Sequence, residues 1–277
     1  IDMGAGDDFL IINSDANDTS LDGGSGSDWL AFRTVNWGAS SAKTYTLNSG
    51  NASNFENLLG SDSDDTLTGD TNANIIIGSA GADTINGGNG NDVLWGDCTT
   101  SSCTNLISQN QSSYSISTGG NDILNGGAGD DTLYGEDGDD TLDGGPGNDS
   151  IISGSGSDVI IITSSSDSDT LNDFTDGTDA IGFDDSITSS NLSFVSSGSD
   201  TQIKNNSDIL LTLTGVSSLN ITAADLQSTS TDAQTLNGTS GNDMLIGGAG
   251  NDTFIGGAGS DQLVGWGGND TFNITSK

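Results

Sequence analysis

Residues 117–161 decide the fold, and they read STGGNDILN, GGAGDDTLY, GEDGDDTLD, GGPGNDSII and SGSGSDVII. In each of these five blocks of nine residues the sixth residue is aspartate, and the eighth is leucine or isoleucine. The glycines ahead of the aspartate permit the positive φ angles of a tight turn. The three residues after it suffice only for a short strand, whose middle side chain points to one face. The stretch therefore predicts a stack of short strands joined by glycine turns.

The same nonapeptide recurs on both sides of that stretch. Four unbroken blocks occupy residues 238–273, and four more fill residues 60–95, where Asn74 replaces one aspartate. Single copies begin at Met3 and Gly23. A fixed period of this kind is typical of solenoid architectures, in which each repeat packs on its neighbours. With 42 glycines among 277 residues, an all-α fold is excluded.

Three segments interrupt the period and divide the chain. Because the chain starts inside one repeat and stops just after another, we expect it to be a segment of a longer protein. The organisation we expect is a partial roll with a strand excursion at 1–59, a central roll at 60–162 with a cysteine-containing insertion at 96–116, a capping or linking β unit at 163–237, and a C-terminal roll at 238–277.

The charge of the chain excludes several classes of function. Asp and Glu total 40 against four Lys and Arg, there is no His, and the net charge is -36. Nucleic acids and anionic membrane surfaces are therefore not expected as partners. Catalytic triads with histidine and histidine-ligated zinc are excluded. No apolar run reaches the roughly 18 residues of a transmembrane helix.

The composition alone would indicate disorder, because the hydrophobic fraction is only 31% and the net charge is high. The regular spacing of the aspartates indicates instead a fold that depends on a cation. A tight turn offers carbonyl oxygens and one short carboxylate, which suits Ca²⁺ better than Mg²⁺. Metals that prefer sulfur or imidazole lack their ligands here.

The nonapeptide GGxGxDxUx, in which U is a large apolar residue, resembles the RTX repeats of secreted bacterial proteins. That resemblance implies an all-β fold of right-handed parallel β-roll segments with small β-sheet or β-sandwich excursions between them. It also implies two nonapeptides per turn, with calcium ions between the loops of successive turns. Export of an unfolded chain in one step, followed by folding outside the cell, is a further implication.

The calcium ligands implied by the resemblance are the motif aspartates together with backbone carbonyls of the loop glycines. The aspartates are Asp8, Asp28, Asp65, Asp83, Asp92, Asp122, Asp131, Asp140, Asp149, Asp158, Asp243, Asp252, Asp261 and Asp270. The glycines are Gly81, Gly88, Gly90, Gly127, Gly129, Gly138, Gly145, Gly147, Gly156, Gly241, Gly248, Gly250, Gly257 and Gly259.

Departures from the repeat predict where calcium binds weakly. Ser61 and Ser63 replace glycines, and Asn74 lacks the charge of aspartate. The site nearest residues 60–74 is therefore expected to be the weakest or to be empty. Residues 169–183, DTLNDFTDGTDAIGF, resemble the segment that commonly follows RTX repeats, and we expect them to cap the central roll.

Other interpretations of individual residues remain open. The two cysteines, Cys98 and Cys103, form either a local disulfide, which an extracellular setting favours, or two unpaired thiols. Three alternative interpretations of the repeats are a metal-free solvated linker, a threonine face that binds ice, and an all-carboxylate glycosidase site. The four tryptophans are either edge packing or platforms for sugars: Trp29, Trp37, Trp95 and Trp266.

The function we expect is that of a calcium-dependent structural module without catalytic activity. It would be secreted and would belong to a surface layer, a filament or an adhesin, with copies of itself or other surface proteins as partners. The alternative is an accessory or secretion module of a secreted hydrolase or polysaccharide-modifying enzyme. A third possibility is a module that binds acidic polysaccharide through bridging Ca²⁺.

Overall fold

The computed structural model describes residues 1–12, 20–32, 42–50, 52–98, 119–164, 167–183, 187, 191–217, 221–222, 225–228, 230–241 and 243–273. These residues belong to two compact units, Ile1–Asp158 and Val159–Lys277. Every regular element assigned within the described residues is a β-strand, which confirms the all-β class. That part of the chain includes no helix long and apolar enough to cross a membrane.

The described part of the first unit contains fourteen strands, most of them three to six residues long. They are β1 (Phe9–Ile12), β2 (Leu21–Asp22), β3 (Trp29–Phe32), β4 (Thr44–Thr46), β5 (Ala52–Ser53), β6 (Asn57–Leu59), β7 (Thr66–Thr68), β8 (Ile75–Ser79), β9 (Thr84–Asn89), β10 (Val93–Asp97), β11 (Ile123–Ala128), β12 (Thr132–Asp137), β13 (Thr141–Asp143) and β14 (Ser150–Ser155).

Consecutive strands from β6 onward alternate between two parallel sheets. The first sheet has the order β1-β3-β6-β8-β10-β12-β14, and the second has the order β4-β7-β9-β11-β13. Strand β2 pairs in parallel with β5. Partners within a sheet lie two repeats apart in sequence, as in Leu58 with Ile76 and Leu124 with Leu142. This register confirms the parallel β-roll and its turn of two nonapeptides.

The core of the first unit is a thin ladder of side chains from the eighth position of each repeat. Burying one such Leu or Ile side chain contributes about 1.5–3 kcal/mol, so the ladder supplies much of the hydrophobic stabilisation. Its members are at most 1% exposed: Leu30, Leu58, Leu67, Ile76, Ile85, Leu94, Leu124, Leu133, Leu142 and Ile151.

The outer face of the first sheet is also apolar. Ala31, Leu59, Ile77 and Trp95 form a buried cluster together with Cys98. Trp95 stacks on Tyr134 with ring centroids 3.9 Å apart, so it acts as packing rather than as a sugar platform. Cys98 is disulfide-bonded, as the local disulfide requires, whereas Cys103 lies outside the described residues.

The insertion interrupts a repeat instead of separating two. Gly96 and Asp97 belong to β10, so the insertion does not begin at residue 96 as the sequence suggested. The partners Ile85 and Leu124 of adjacent turns lie 39 residues apart, whereas Leu67 and Ile85 lie 18 apart. Residues 98–118 account for the difference. One repeat is therefore formed by residues 96–97 continued by residues 119–125.

The described part of the second unit contains the remaining strands. They are β15 (Val159–Ile162), β16 (Asp169–Leu171), β17 (Ala180–Phe183), β18 (Leu192–Ser197), β19 (Asp200–Asn205), β20 (Asp208–Leu213), β21 (Leu226–Ser228), β22 (Thr235–Asn237), β23 (Met244–Gly248), β24 (Thr253–Ile255), β25 (Gln262–Trp266) and β26 (Thr271–Asn273).

Two kinds of sheet occur in the second unit. Strands β18, β19 and β20 form an antiparallel meander, and β20 pairs in parallel with β16. Strands β15, β17 and β21 are parallel neighbours. The sets β22-β24-β26 and β23-β25 repeat the roll pattern around Leu236, Leu245 and Phe254. The antiparallel meander and the C-terminal roll are thus distinct in structure.

The four-segment division of the chain stays a prediction. Within the first unit, β3 pairs with β6 and β6 pairs with β8, so the sheets run continuously through residues 59 and 60. Residues 169–183 contribute β16 and β17, and their capping of the central roll also stays a prediction.

Candidate metal sites

The loops of the first unit fall into two rows, and positions in each repeat are numbered here from its first glycine. Loops that lead into the first sheet form the first row: 3–8, 23–28, 52–56, 69–74, 87–92, 126–131 and 144–149. Loops that lead into the second sheet form the second row: 60–65, 78–83, 96–97 continued by 119–122, and 135–140. Residues 153–158 of the same unit continue this row.

The motif aspartates at position six stack along each row. The backbone N–H of one aspartate donates to Oδ1 of the aspartate one turn later, so each carboxylate is fixed by its predecessor. In the second row the N–O distances are 2.7 Å from Asp65 to Asp83, 2.7 Å from Asp83 to Asp122, 2.8 Å from Asp122 to Asp140 and 2.9 Å from Asp140 to Asp158. In the first row they are 2.8 Å from Asp8 to Asp28, 2.6 Å from Asp92 to Asp131 and 2.8 Å from Asp131 to Asp149.

The second carboxylate oxygen, Oδ2, is buried in most of these loops and accepts no hydrogen bond. We call such loops open. Buried polar atoms nearly always have a hydrogen-bond partner, so a repeated exception requires a ligand that is not part of the chain. The open loops include those of Asp8, Asp28, Asp83, Asp92, Asp122, Asp131 and Asp140.

Glycine at position one makes room for this carboxylate. A Cβ on Gly126 would lie 2.5 Å from Oδ2 of Asp131 and 2.5 Å from the carbonyl oxygen of Gly144. Neither contact is tolerable for a carbon atom. The glycines predicted as ligands are at positions two and four only, although glycine at position one recurs in nearly every block and was the signal that could have revealed its role.

The predicted glycines at positions two and four form columns along the rows. A Cβ on Gly129 would lie 1.7 Å from the carbonyl oxygen of Gly90, the residue one turn earlier. The carbonyl oxygens thus face the next turn, where an ion between loops would contact them. Most of these glycines have positive φ: Gly81, Gly88, Gly90, Gly127, Gly129, Gly138, Gly145, Gly147, Gly156, Gly257 and Gly259. Gly241, Gly248 and Gly250 do not.

A second ladder runs at position five, where the sequence analysis predicted nothing. Here the N–H of the later turn donates to the side chain of the earlier turn, opposite in direction to the ladder at position six. Ser157 donates to Oδ1 of Asp139 at 2.8 Å, and Asn148 donates to Oδ1 of Asp130 at 2.9 Å. The recurrence of Asp, Asn and Ser at this position was the signal that could have revealed it.

Burial raises the pKa values of the carboxyl groups in the five open loops from Asp83 to Asp140, and the charges of neighbouring aspartates add to the effect. The pKa of Asp83 rises to about 9, that of Asp92 to about 7 and that of Asp140 to about 7. For Asp122, where burial is again the main cause, the pKa is about 6. At neutral pH such buried carboxyl groups either take up a proton or need a compensating cation to stay ionised.

Other loops satisfy the carboxylate internally, and we call these closed. The N–H at position two donates to the side chain at position six, at 2.6 Å from Ser61 to Asp65 and at 2.8 Å from Asp70 to Asn74. Both of these loops lie in residues 60–74, where weak calcium binding was predicted. That expectation remains a prediction, and the closed geometry favours it.

The C-terminal roll also contains closed loops, which the sequence did not foresee. Thr239 donates to Oδ2 of Asp243 at 2.7 Å, and Gly248 donates to Oδ2 of Asp252 at 3.0 Å. The ladder at position six is still present, since Asp243 donates to Asp261 at 3.1 Å and Asp252 donates to Asp270 at 2.9 Å.

Two residues that sequence reasoning missed occupy position six at degenerate repeats. Oε2 of Glu56 accepts from the N–H of Asp28 at 2.8 Å and so continues the first row. Lys43 stands at the start of the second row, where its N–H donates to Oδ1 of Asp65 at 2.6 Å. Glutamate and lysine do not match the aspartate of the motif, and their blocks lack most of its glycines.

The oxygen ligands that the open loops offer are suited to calcium. Among the described residues, no three acidic or cysteine side chains converge on one point. Carbonyl oxygens must therefore supply most of the ligands, with one or two carboxylates at each site. Calcium accepts six to eight oxygen ligands in flexible geometry, and backbone carbonyls are among its usual ligands.

Comparison with known proteins found similar solved structures. No curated protein matched the sequence. A subunit of the mannuronan C5-epimerase from Azotobacter vinelandii is similar at 25% identity over 39% of this chain and 72% of that chain, with a TM-score of 0.32. The extracellular lipase of Serratia marcescens is similar at 14% identity over 73% of this chain and 44% of the lipase, with a TM-score of 0.25.

The RTX calcium-binding nonapeptide repeat matches the chain four times, at residues 59–94, 116–151, 136–167 and 237–272. Repeats of this family bind several calcium ions and are typical of secreted bacterial proteins. The matched regions contain the motif aspartates of the five consecutive open loops from Asp83 to Asp140. The chain is therefore one that carries RTX calcium-binding nonapeptide repeats.

Proposed function

We propose that this chain is a non-catalytic structural module that folds and becomes rigid when calcium fills its open loops outside the cell. The observation that carries the proposal is the series of buried, unpartnered Oδ2 atoms along both rows of the first unit. Without cations these carboxylates repel one another in a poorly solvated environment. With calcium each becomes a ligand that holds two successive turns together.

The charge of the whole chain supports coupling between folding and calcium. The net charge is -36, and on the order of ten Ca²⁺ ions would offset more than half of it. Extracellular calcium modules have Kd values of ~10⁻⁴ to 10⁻³ M. The chain would then stay unfolded in a calcium-poor cytosol, which suits export before folding.

Exposed carboxylates support assembly with copies of itself or with other surface proteins. Asp64, Asp130 and Asp139 are exposed at position five, on the outside of the loops. Calcium shared between two such surfaces would link neighbouring molecules, as expected in a surface layer, filament or adhesin. The same bridging would allow contact with an acidic polysaccharide.

Calcium titration of the isolated chain tests this function. We expect β circular dichroism to increase cooperatively near ~1 mM Ca²⁺ and light scattering to show growth beyond the monomer. Magnesium at the same concentration serves as the control and should produce neither change.

The two readouts separate the alternatives. Folding without growth would contradict the assembly and would favour an accessory module of a secreted enzyme. Absence of any gain in β signal would contradict the calcium-dependent fold itself.

A further inference from the structure

The repeat that the insertion interrupts carries an aspartate that the motif does not contain. Gly96 and Asp97 supply positions one and two of its loop, and residues 119–122 supply positions three to six. A Cβ on Gly96 would lie 2.2 Å from Oδ2 of Asp122, the same relation that Gly126 has to Asp131. Asp97 therefore occupies the position that is glycine in the consensus, directly at the base of the insertion.

The Asp97 side chain is buried and incompletely paired. It is 1% exposed. Its Oδ2 accepts from the N–H of Gly120 at 3.0 Å, while its Oδ1 is buried without a hydrogen-bond partner. Oδ2 of Asp122 in the same loop is also buried and unpartnered. This loop thus presents two unpartnered carboxylate oxygens from two residues.

Asp70 provides an internal comparison, because it occupies position two of its own loop. Its Oδ1 accepts from the N–H of Asn72 at 2.8 Å, and its Oδ2 accepts from Nδ2 of Asn48 at 2.8 Å. Burial acts to raise the pKa of Asp70, but these hydrogen bonds outweigh it and lower the pKa. An aspartate at position two can therefore be fully satisfied by the chain, and Asp97 is not.

Backbone oxygens of the neighbouring turns approach the same loop. A Cβ on Gly119 would lie 1.9 Å from the carbonyl oxygen of Asp137 and 2.3 Å from Oδ2 of Asp97. A Cβ on Gly120 would lie 1.8 Å from the carbonyl oxygen of Gly81. Glycine at these two positions keeps the loop close to oxygen atoms of the turns before and after it, which is the donor set that calcium prefers.

We propose that Asp97 and Asp122 together form a two-carboxylate calcium site that clamps the two ends of the insertion, residues 98–118. The site rests on the calcium-dependent fold proposed above and adds a ligand outside the repeat motif. A second carboxylate raises the negative charge around the ion, so this site binds calcium more tightly than the single-carboxylate loops. Because Asp97 precedes the insertion and Gly119 follows it, filling the site fixes both ends of the insertion to the roll.

Two substitutions test the site in the full chain, Asp97→Asn and Asp97→Gly. The second restores the consensus glycine of position two, so it keeps the loop foldable. Asp143→Asn is the matched control, because it removes the same charge from the next turn of the roll at a position where Asn125 is its partner one turn earlier. Isothermal titration with calcium gives the stoichiometry and affinity, and limited proteolysis reports on the insertion.

We expect both Asp97 variants to lose the tightest class of sites, by ~10-fold or more in affinity or by one bound ion. Cleavage within residues 98–118 should become faster in calcium, while Asp143→Asn should bind calcium and be cleaved like the wild type. Affinities within twofold of the control, with unchanged stoichiometry, would overturn the proposal. So would a gain in thermal stability of both variants in calcium, because Asp97 would then be only a buried charge. A wild-type chain that binds no calcium would instead refute the proposed function.

Discussion

Removal of calcium with a chelator at neutral pH is expected to unfold the repeat region of the first unit. Each carboxyl group left buried without a cation costs several kcal/mol, whether it stays ionised or takes up a proton well above its usual pKa. A domain is stable by only about 5–15 kcal/mol in total. The open loops from Asp83 to Asp140 contain five such groups in succession, so their combined cost exceeds the stability that the leucine ladder can maintain.

Hydrogen exchange followed by mass spectrometry locates this effect along the chain. Amides of β9 to β13 should lose most of their protection in chelator and regain it in calcium. The antiparallel strands β18 to β20 contain no repeat loops and serve as the internal control. Equal protection of β9 to β13 with and without calcium would show that the roll does not need the ion.

Acidification of the calcium-free chain is expected to restore part of the same structure. The folded-state pKa is about 9 for Asp83 and about 7 for Asp92 and Asp140, against a usual value of 3.8. The folded state therefore binds more protons than the unfolded state between those limits. Stability is then greatest below pH 3.8 as far as these groups are concerned, and it falls as the pH rises through their folded-state pKa values.

Urea unfolding in chelator at neutral pH and near pH ~5 measures this dependence, and we expect the midpoint to be higher at the acid pH. In saturating calcium the urea midpoint should instead be higher at neutral pH than at acid pH, because protons compete with the ion for the carboxylates. A calcium-free midpoint that rises from acid to neutral pH would contradict the burial of unpaired carboxylates.

The repeating part of the fold was predictable because two regularly spaced residue types determine it. Aspartate at position six and a large apolar residue at position eight recur every nine residues, and a strand of three residues leaves one inward side chain. The buried row of Leu124, Leu133 and Leu142 follows directly from that pattern. The loop glycines Gly127 and Gly129 were predictable for the same reason.

The split repeat was hidden because residues 117–125 look complete by themselves. Ser117 and Thr118 fill the first two positions in sequence, whereas in space Gly96 and Asp97 fill them. Sequence gives only distance along the chain, and an insertion within a loop changes that distance without changing the register of the strands. Pairing of Ile85 with Leu124 is what reveals it.

The distinction between open and closed loops was also beyond sequence analysis. It depends on whether the N–H at position two points toward the carboxylate, which is a matter of backbone conformation. Gly248 donates to Asp252 although its loop has the full consensus. The presence of glycine at these positions therefore predicts the turn. It does not predict whether the carboxylate accepts a hydrogen bond from position two.

A crystal structure determined in millimolar calcium, with anomalous scattering used to locate the ions, is the most direct test of the central claim. It should show an ion in contact with Oδ2 of Asp83, Asp92, Asp122, Asp131 and Asp140, each between loops of successive turns. Well-ordered loops at these five residues with no ion against the carboxylates would show that something other than calcium compensates their charge.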